Sequence, residues 1–318
     1  MKYAPVAVFV YNRVDKLKMC LEALEKNSLV NMTDLFIFAD GAKGISDSDK
    51  VGQVRIHIHQ YWQDSKFHKV TLIEQPKNLG LANSIIEGVT KVISEYHKII
   101  VVEDDLIVSE DFLSYMNKAL DYYENMKEYG SISAYTFPLR ELEKYDKDVF
   151  VTRKGDCWGW GTWYDRWNNV DWAVSDFDIY LKDKKKRKAF DSLQNGLDQM
   201  LVMQQAGEID SWAVRWCYHL FNYGLLTVYP RISRTINIGI DGSGRHCGNS
   251  KDAHKIYNGN AMDSYKKSSQ RPAVFERLPV NKKLERKAAI FGTVSFDKKI
   301  LTKIKLLFKM VCIQIFLN

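Results

Sequence analysis

Three adjacent carboxylates, Glu103-Asp104-Asp105, follow directly on the run Lys98-Ile99-Ile100-Val101-Val102. An unbroken β-branched run reads as a central strand buried on both faces. Like charges at that spacing repel and resist burial, so stability alone does not call for three acids at a strand end. A divalent cation resolves the conflict. Mn²⁺ or Mg²⁺ prefers oxygen ligands and takes one or two carboxylates while substrate phosphates complete its shell. The carboxyl end of a strand in an open α/β sheet is also where ligands bind. The same acids would serve equally as an acidic surface loop, or Asp104 or Asp105 as the cap of a following turn.

Two other segments carry residue types suited to ligand chemistry. The densest aromatic run is Cys157-Trp158-Gly159-Trp160-Gly161-Thr162-Trp163-Tyr164-Asp165-Arg166-Trp167. Indole faces stack on the apolar faces of sugar rings, and glycine lets backbone approach closely. Trp158, Gly159 and Trp160 are therefore expected to form a donor-sugar or acceptor platform. Trp163 and Trp167, four apart, are expected to pack the core from one helix face. The glycine-rich stretch Asp241-Gly242-Ser243-Gly244-Arg245-His246-Cys247-Gly248 reads as a mobile loop that closes on a ligand. His246 and Arg245 are its candidate ligand contacts; a solvated loop histidine is the other reading.

The elements that position these residues alternate. Pro5–Val10, Leu35–Ala39, Val70–Ile73, Ile99–Val102 and Ile132–Ala134 read as strands. Between the first two lies a helix with Leu17, Cys20, Leu21 and Leu24 on one face. A second helix opens after Asn78-Leu79-Gly80 with Leu81, Ile85, Val89 and Val92 inward, and a third spans Phe112 to Tyr123. Strand–helix alternation implies a doubly wound, mostly parallel sheet of the Rossmann-like α/β class. Residues 1–135 read as a nucleotide-binding half, 136–275 as a less regular substrate-binding half packed on it, and 276–318 as a basic tail.

The order Tyr11-Asn12-Arg13, Asp40-Gly41, Asn78-Leu79-Gly80 with Asn83, then Val102-Glu103-Asp104-Asp105 resembles the nucleotide-sugar half of GT-A-fold inverting glycosyltransferases. The nearest likenesses are the N-acetylglucosaminyltransferase I type and bacterial surface-polysaccharide transferases with a Glu-Asp-Asp motif. Asp210-Ser211-Trp212, Pro230–Thr235 and Gly242–His246 extend the match in order, to roughly residues 4–250. The aromatic run departs from the N-acetylglucosaminyltransferase I pattern and looks more like its bacterial relatives.

The resemblance implies roles. Asp105 would bind Mn²⁺ (or Mg²⁺) that bridges the diphosphate of a UDP-sugar, with His246 from the late loop on the same metal or on the diphosphate. Asp104 would face the ribose, Glu103 the sugar or the metal's surroundings, and Asp40 the uracil. Arg13 would pair with phosphate, as a planar guanidinium suits, beside Tyr11, Asn12, Asn78, Gly80 and Asn83. Asp210 would be the general base that takes the acceptor hydroxyl's proton. Each has a plainer alternative: Arg13 as a surface charge at a helix start, Asp40 as a turn former before Gly41, Asn78, Gly80 and Asn83 as loop punctuation, and Asp210 as a helix N-cap.

Composition narrows the class. The chain has 318 residues, 46% hydrophobic, and a net charge of +7 concentrated in 182–188 and the last forty residues. Such a balance suits a phosphorylated substrate or an anionic membrane; interleaved acids and the lack of a nucleic-acid motif argue against nucleic acid. The five cysteines form no Cys-x-x-Cys pair and fit a reducing cytoplasm. No signal peptide or transmembrane run is read. Lysines mixed with bulky apolar residues across 298–318 suit an interfacial helix on anionic lipid, or a terminal helix docked on the core. The expectation is a metal-dependent inverting transferase, peripheral on the inner face of the plasma membrane, that moves sugar from UDP to a glycan or lipid-linked saccharide in surface polysaccharide synthesis. Its rivals are a nucleotidyltransferase, which would want a glycine-rich phosphate loop after the first strand, a retaining transferase, and a non-catalytic carbohydrate-binding module, which would not need the acid triplet.

Overall fold

A computed structural model describes residues 3–240, 257–258 and 272–291. Its centre is an eight-stranded sheet built from β1 (Val6–Val10), β2 (Asp34–Ala39), β3 (Lys69–Glu74), β4 (Lys98–Glu103), β6 (Tyr129–Ser133), β7 (Val149–Thr152), β8 (Trp160–Trp163) and β9 (Leu226–Pro230) in the order β3-β2-β1-β4-β8-β6-β9-β7. The first four of that order are mutually parallel, β8 is antiparallel to both its neighbours, β6 and β9 are parallel, and β7 is antiparallel to β9. The strands expected from the sequence are there, each within a few residues of its expected bounds. A separate ribbon pairs β5 (Leu106–Val108) with β10 (Thr235–Asn237) antiparallel.

Alternation sorts each central strand into two cores. Val6, Val8 and Val10 with Ile100 and Val102 face one cluster, which includes α1 (Val14–Glu25) and α4 (Phe112–Tyr123). Ala7 and Phe9 with Ile99 and Val101 face the other, under α3 (Leu81–Tyr96). There Phe9 stacks on Phe38 with centroids 4.8 Å apart. Along α3 the residues Ile85, Val89 and Val92 are buried as expected, but Leu81, the first residue of the helix, is 41% exposed.

The sheet does not stop at residue 135, since β7, β8 and β9 all come from beyond it. A long helix α2 (Ile45–Asp64), unforeseen because its buried face is only Val51, Val54 and Ile58, follows β2. Short helices α5 (Tyr164–Trp167), α6 (Phe177–Lys182), α7 (Lys184–Asp191) and α8 (Leu197–Gln205) lead to α9 (Trp212–Asn222), and α10 (Lys282–Phe291) closes the described chain. The basic run at 182–188 is broken by Asp183, whose carboxylate caps α7 by accepting from Lys185 and Lys186 N–H, both at 2.9 Å. Trp163 and Trp167 are both buried, but not on one helix face: Trp163 ends β8 and Trp167 lies in α5, in opposite cores. No described helix is long and apolar enough to cross a membrane. The 298–318 segment and His246 lie outside the described residues.

Candidate active site

Strand order reverses between β1 and β4, and the carboxyl ends of those two strands meet there. This is the crevice where ligands of open α/β sheets sit. β1 delivers Tyr11-Asn12-Arg13 to it, and β4 delivers Glu103-Asp104-Asp105. The chain cannot run on straight after Asp105, because β5 starts at once and pairs with β10; Ile238 N–H donates to the Asp105 carbonyl at 2.8 Å. Asp104 is fixed from the other side by its N–H, which donates to Phe9 at 3.1 Å.

One guanidinium bridges the two aspartates. Arg13 Nη1 lies 2.9 Å from Asp105 Oδ2, and Arg13 Nη2 pairs with Asp104 Oδ1. Arg13 Nε also donates to Asp104 Oδ2 at 3.4 Å. Arg13 is therefore engaged by the acids, where the sequence pointed it at phosphate, and of its five N–H donors about two stay uncommitted. Lys16, one turn on, lies within electrostatic reach of Asp104 and donates to the Ile238 carbonyl at 2.6 Å. Desolvation, then the charges of Asp105 and Asp104, push the Glu103 carboxyl up to about 8. Desolvation also pushes Asp104 up to about 6, although Arg13 pulls it down. The cluster thus gathers three carboxylates against two cations, and burial favours its protonated forms.

Carboxylates crowded together and resisting ionisation are a set that a hard cation with oxygen ligands would hold in the charged form. Gly239 is a further fit. A Cβ there would stand 2.1 Å from Asp105 Oδ2, so only glycine lets the backbone approach this carboxylate. Among the described residues no three His, Cys, Asp or Glu side chains converge as a complete metal cage.

A second group forms around Asp40, at the end of β2. Its Oδ1 accepts from Gly41 N–H at 2.9 Å and Leu79 N–H at 2.8 Å; its Oδ2 accepts from Asn78 Nδ2 at 2.9 Å and Gly80 N–H at 3.0 Å. Asp40, 5% exposed, anchors the 78–80 turn. Contact with a uracil would have to compete with these bonds. Gly80, at φ 76, starts α3, and a Cβ on it would lie 3.8 Å from Asp210 Oδ2. The N-cap of α9 is Ser211, which accepts from Val214 N–H at 3.3 Å, so Asp210 is not the cap. Asp210 is half-exposed and pairs with Arg215 at 3.2 Å. Nearby, Tyr11 donates to Asp47 at 2.8 Å and accepts from Lys43 N–H at 3.1 Å. Asn83 is exposed and donates to the Leu79 carbonyl at 3.1 Å; Asn12 is half-buried.

The aromatic platform needs correction. Trp160 is wholly buried and stacks on Trp212 with centroids 5.1 Å apart, so it packs the core and offers no face to a sugar. Trp158 is half-buried against Tyr135 and Tyr257 at 4.6 and 5.7 Å. Gly159 adopts φ +82, and a Cβ there would strike Thr235 at 2.7 Å.

Sequence reasoning missed Lys16, Arg215 and Asp47. Lys16 had a signal, since it lies three residues after Arg13 on the same helix face. Arg215 had none, since five residues from Asp210 falls outside the i+3 and i+4 spacings that share a helix face. Asp47 had none, because only the fold brings it to Tyr11.

No family model and no curated protein matches the chain. Among solved structures, S. aureus TarS is similar over 42% of this chain at 15% identity and a TM-score of 0.32; the chain spans 21% of that structure's length. A protein described as a glucose-1-phosphate thymidylyltransferase from Bacillus anthracis, in complex with a sucrose, is similar over 86% of this chain and 98% of its own at 11% identity and a TM-score of 0.38. Likenesses at this level carry no information about the activity of this chain.

Proposed function

We propose that this chain is a metal-dependent inverting glycosyltransferase that moves a sugar from a UDP donor to a glycan or lipid-linked saccharide. The observation that carries the reading is the Arg13-bridged pair Asp104–Asp105 at the β1/β4 switch point, with a half-exposed carboxylate, Asp210, held separately at the 78–80 turn. Mn²⁺ or Mg²⁺ held by Asp105 would supply neutralisation of the charge that builds on the leaving diphosphate. Glu103 lies next to that ligand, and Asp104 would meet the ribose. Arg13 holds both aspartates in place and turns its remaining N–H groups toward phosphate. Tyr11, Asn12, Asn78, Gly80 and Asn83 would shape the nucleotide's seat, with Asp40 fixing the turn that forms it. Trp158 and Gly159 remain the candidates for contact with sugar, and His246 for the diphosphate side.

In the transfer itself the acceptor hydroxyl oxygen bonds to the anomeric carbon while the bond from that carbon to the diphosphate oxygen breaks, and its electron pair leaves with UDP. The hydroxyl proton passes to the Asp210 carboxylate. Arg215 orients that carboxylate through the 3.2 Å contact. In this reading the 298–318 segment rests on anionic lipid at the inner face of the membrane, where surface polysaccharide is built.

The test is UDP release from a panel of UDP-sugars, with and without Mn²⁺, on wild type and Asp105→Ala. Metal-dependent release from one donor, lost in the variant, is the expected result. Release that is indifferent to both the metal and Asp105 would contradict the reading.

A further inference from the structure

A cleft of about 350 Å³ opens between α6 and the C-terminal turn of α9. Asp210 precedes α9, while His219, Asn222 and Tyr223 of the cleft lie nine to thirteen residues on. At 1.5 Å per residue they stand roughly 14–20 Å along the helix from Asp210. The cleft is thus a concavity apart from Asp210, and none of the residues that line it belongs to the acid triplet.

Its construction is specific. His219 is 5% exposed and lies against Trp216 at 5.6 Å and Tyr223 at 4.7 Å. Tyr223 is 63% exposed at one rim, and Ile179 is 71% exposed at another. Asp176 takes three donors on one oxygen: Tyr218 Oη at 2.7 Å, Lys186 Nζ at 3.2 Å and Asn222 Nδ2 at 3.5 Å all reach Oδ2. Val174, also in the wall, is held at φ 54. A β-branched residue rarely adopts that conformation, and such strain collects at ligand clamps. Asp171 maintains it, accepting from Ser175 N–H at 2.6 Å and Ala173 N–H at 3.0 Å.

An open aromatic face beside carboxylate and amide groups is complementary to a pyranose, whose ring carbons stack while its hydroxyls donate and accept. Two aspartates against one lysine disfavour a phosphate or a uronic acid. The volume lies within the range of small-molecule sites. We propose that this cleft binds a neutral or amino-bearing pyranose unit of a glycan chain, with Tyr223 as the stacking face and Asp176 and Asn222 as the polar partners. The proposal rests on the transferase reading only in naming the glycan as acceptor: one chain would be gripped here while its end is presented near Asp210.

The test is saturation-transfer NMR with cellohexaose, chitohexaose and de-N-acetylated chitohexaose, run in saturating UDP and Mn²⁺. The proteins are wild type, Tyr223→Ala, Asn222→Ala and Asp105→Ala. Tyr223 is mostly exposed, so its truncation leaves the fold intact. At least one saccharide is expected to receive saturation from wild type and from Asp105→Ala, with affinity about tenfold weaker in Tyr223→Ala, the loss of one stacking contact. Asn222→Ala is expected to weaken it in the same direction. No transfer to any of the three saccharides, or equal affinity in wild type and Tyr223→Ala, would overturn the site. UDP binding on the same samples separates the two ideas: saccharide binding without UDP binding sinks the transferase reading and leaves the cleft, and UDP binding without saccharide at the cleft does the reverse.

Discussion

Asp40 is the most heavily committed single carboxylate at the rim of the crevice, with both oxygens taken by the turn that precedes α3. Its removal would leave Leu79 and Gly80 N–H without acceptors. Asp40→Ala is expected to cost on the order of 3 kcal/mol in denaturant unfolding, since each stranded buried donor costs about 1–3 kcal/mol; a change below 0.5 kcal/mol would show the turn to be held by other means. Asp210 is the opposite case, half-exposed and tied only loosely to Arg215. If it is the base, Asp210→Asn lowers turnover by about 10²-fold or more while UDP affinity, read by calorimetry, stays within about twofold. Near-normal turnover would reject the role. The place of the acid triplet at the carboxyl end of β4 was legible in sequence because an unbroken apolar run that stops at charged residues marks a strand end. The bridging position of Arg13 was not, because residue 13 meets residues 104 and 105 only through the pairing of β1 with β4.

At the scale of elements, the small β5–β10 ribbon positions the site as much as the main sheet does. It turns the chain after Asp105 and lays Gly239 against that carboxylate. A Cβ at 2.1 Å from Asp105 Oδ2 forces the side chain to rotate away. Gly239→Ala is therefore expected to weaken Mn²⁺-dependent UDP binding about tenfold or more, with the sheet left intact by circular dichroism; unchanged binding would mean that Asp105 is not a ligand in the position described. Strands β1, β2 and β4 were legible because burial on both faces writes a continuous apolar run, whereas the half-exposed edge strand β3 showed only in Val70, Leu72 and Ile73. β5 and β10 were not, since three-residue strands carry no periodicity. The tryptophan run misled for a related reason: glycines on either side of Trp160 suggested an open platform, whereas Gly161 is required by the close pass of β4, where a Cβ would stand 2.9 Å from the Ile99 carbonyl.

For the whole molecule, the tryptophans join the two halves of the chain. Trp160 of β8 meets Trp212 and Trp216 of α9 and Trp167 of α5 in the core beneath α3. Trp160→Ala is expected to cost about 3–5 kcal/mol by thermal or denaturant unfolding; a loss under 1 kcal/mol would place the ring outside the core. His219 on the same helix adds a pH dependence. Burial lowers its imidazole to about 4, below the ordinary value of 6.5. Between those values the unfolded chain takes up a proton that the folded chain refuses, so stability is full above pH 6.5 and falls as pH drops through 4. The difference in unfolding free energy between wild type and His219→Phe should shrink by on the order of 3 kcal/mol from pH 7 to below pH 4; a constant difference would mean that the imidazole titrates alike in both states. The central claim, that the acids at the β1/β4 crevice seat a metal-bound nucleotide diphosphate, is tested most directly by calorimetry of UDP binding with and without Mn²⁺ on wild type and Asp105→Ala. The account predicts binding that requires Mn²⁺ and is lost in the variant. UDP binding that ignores both, or no binding under either condition, would contradict it.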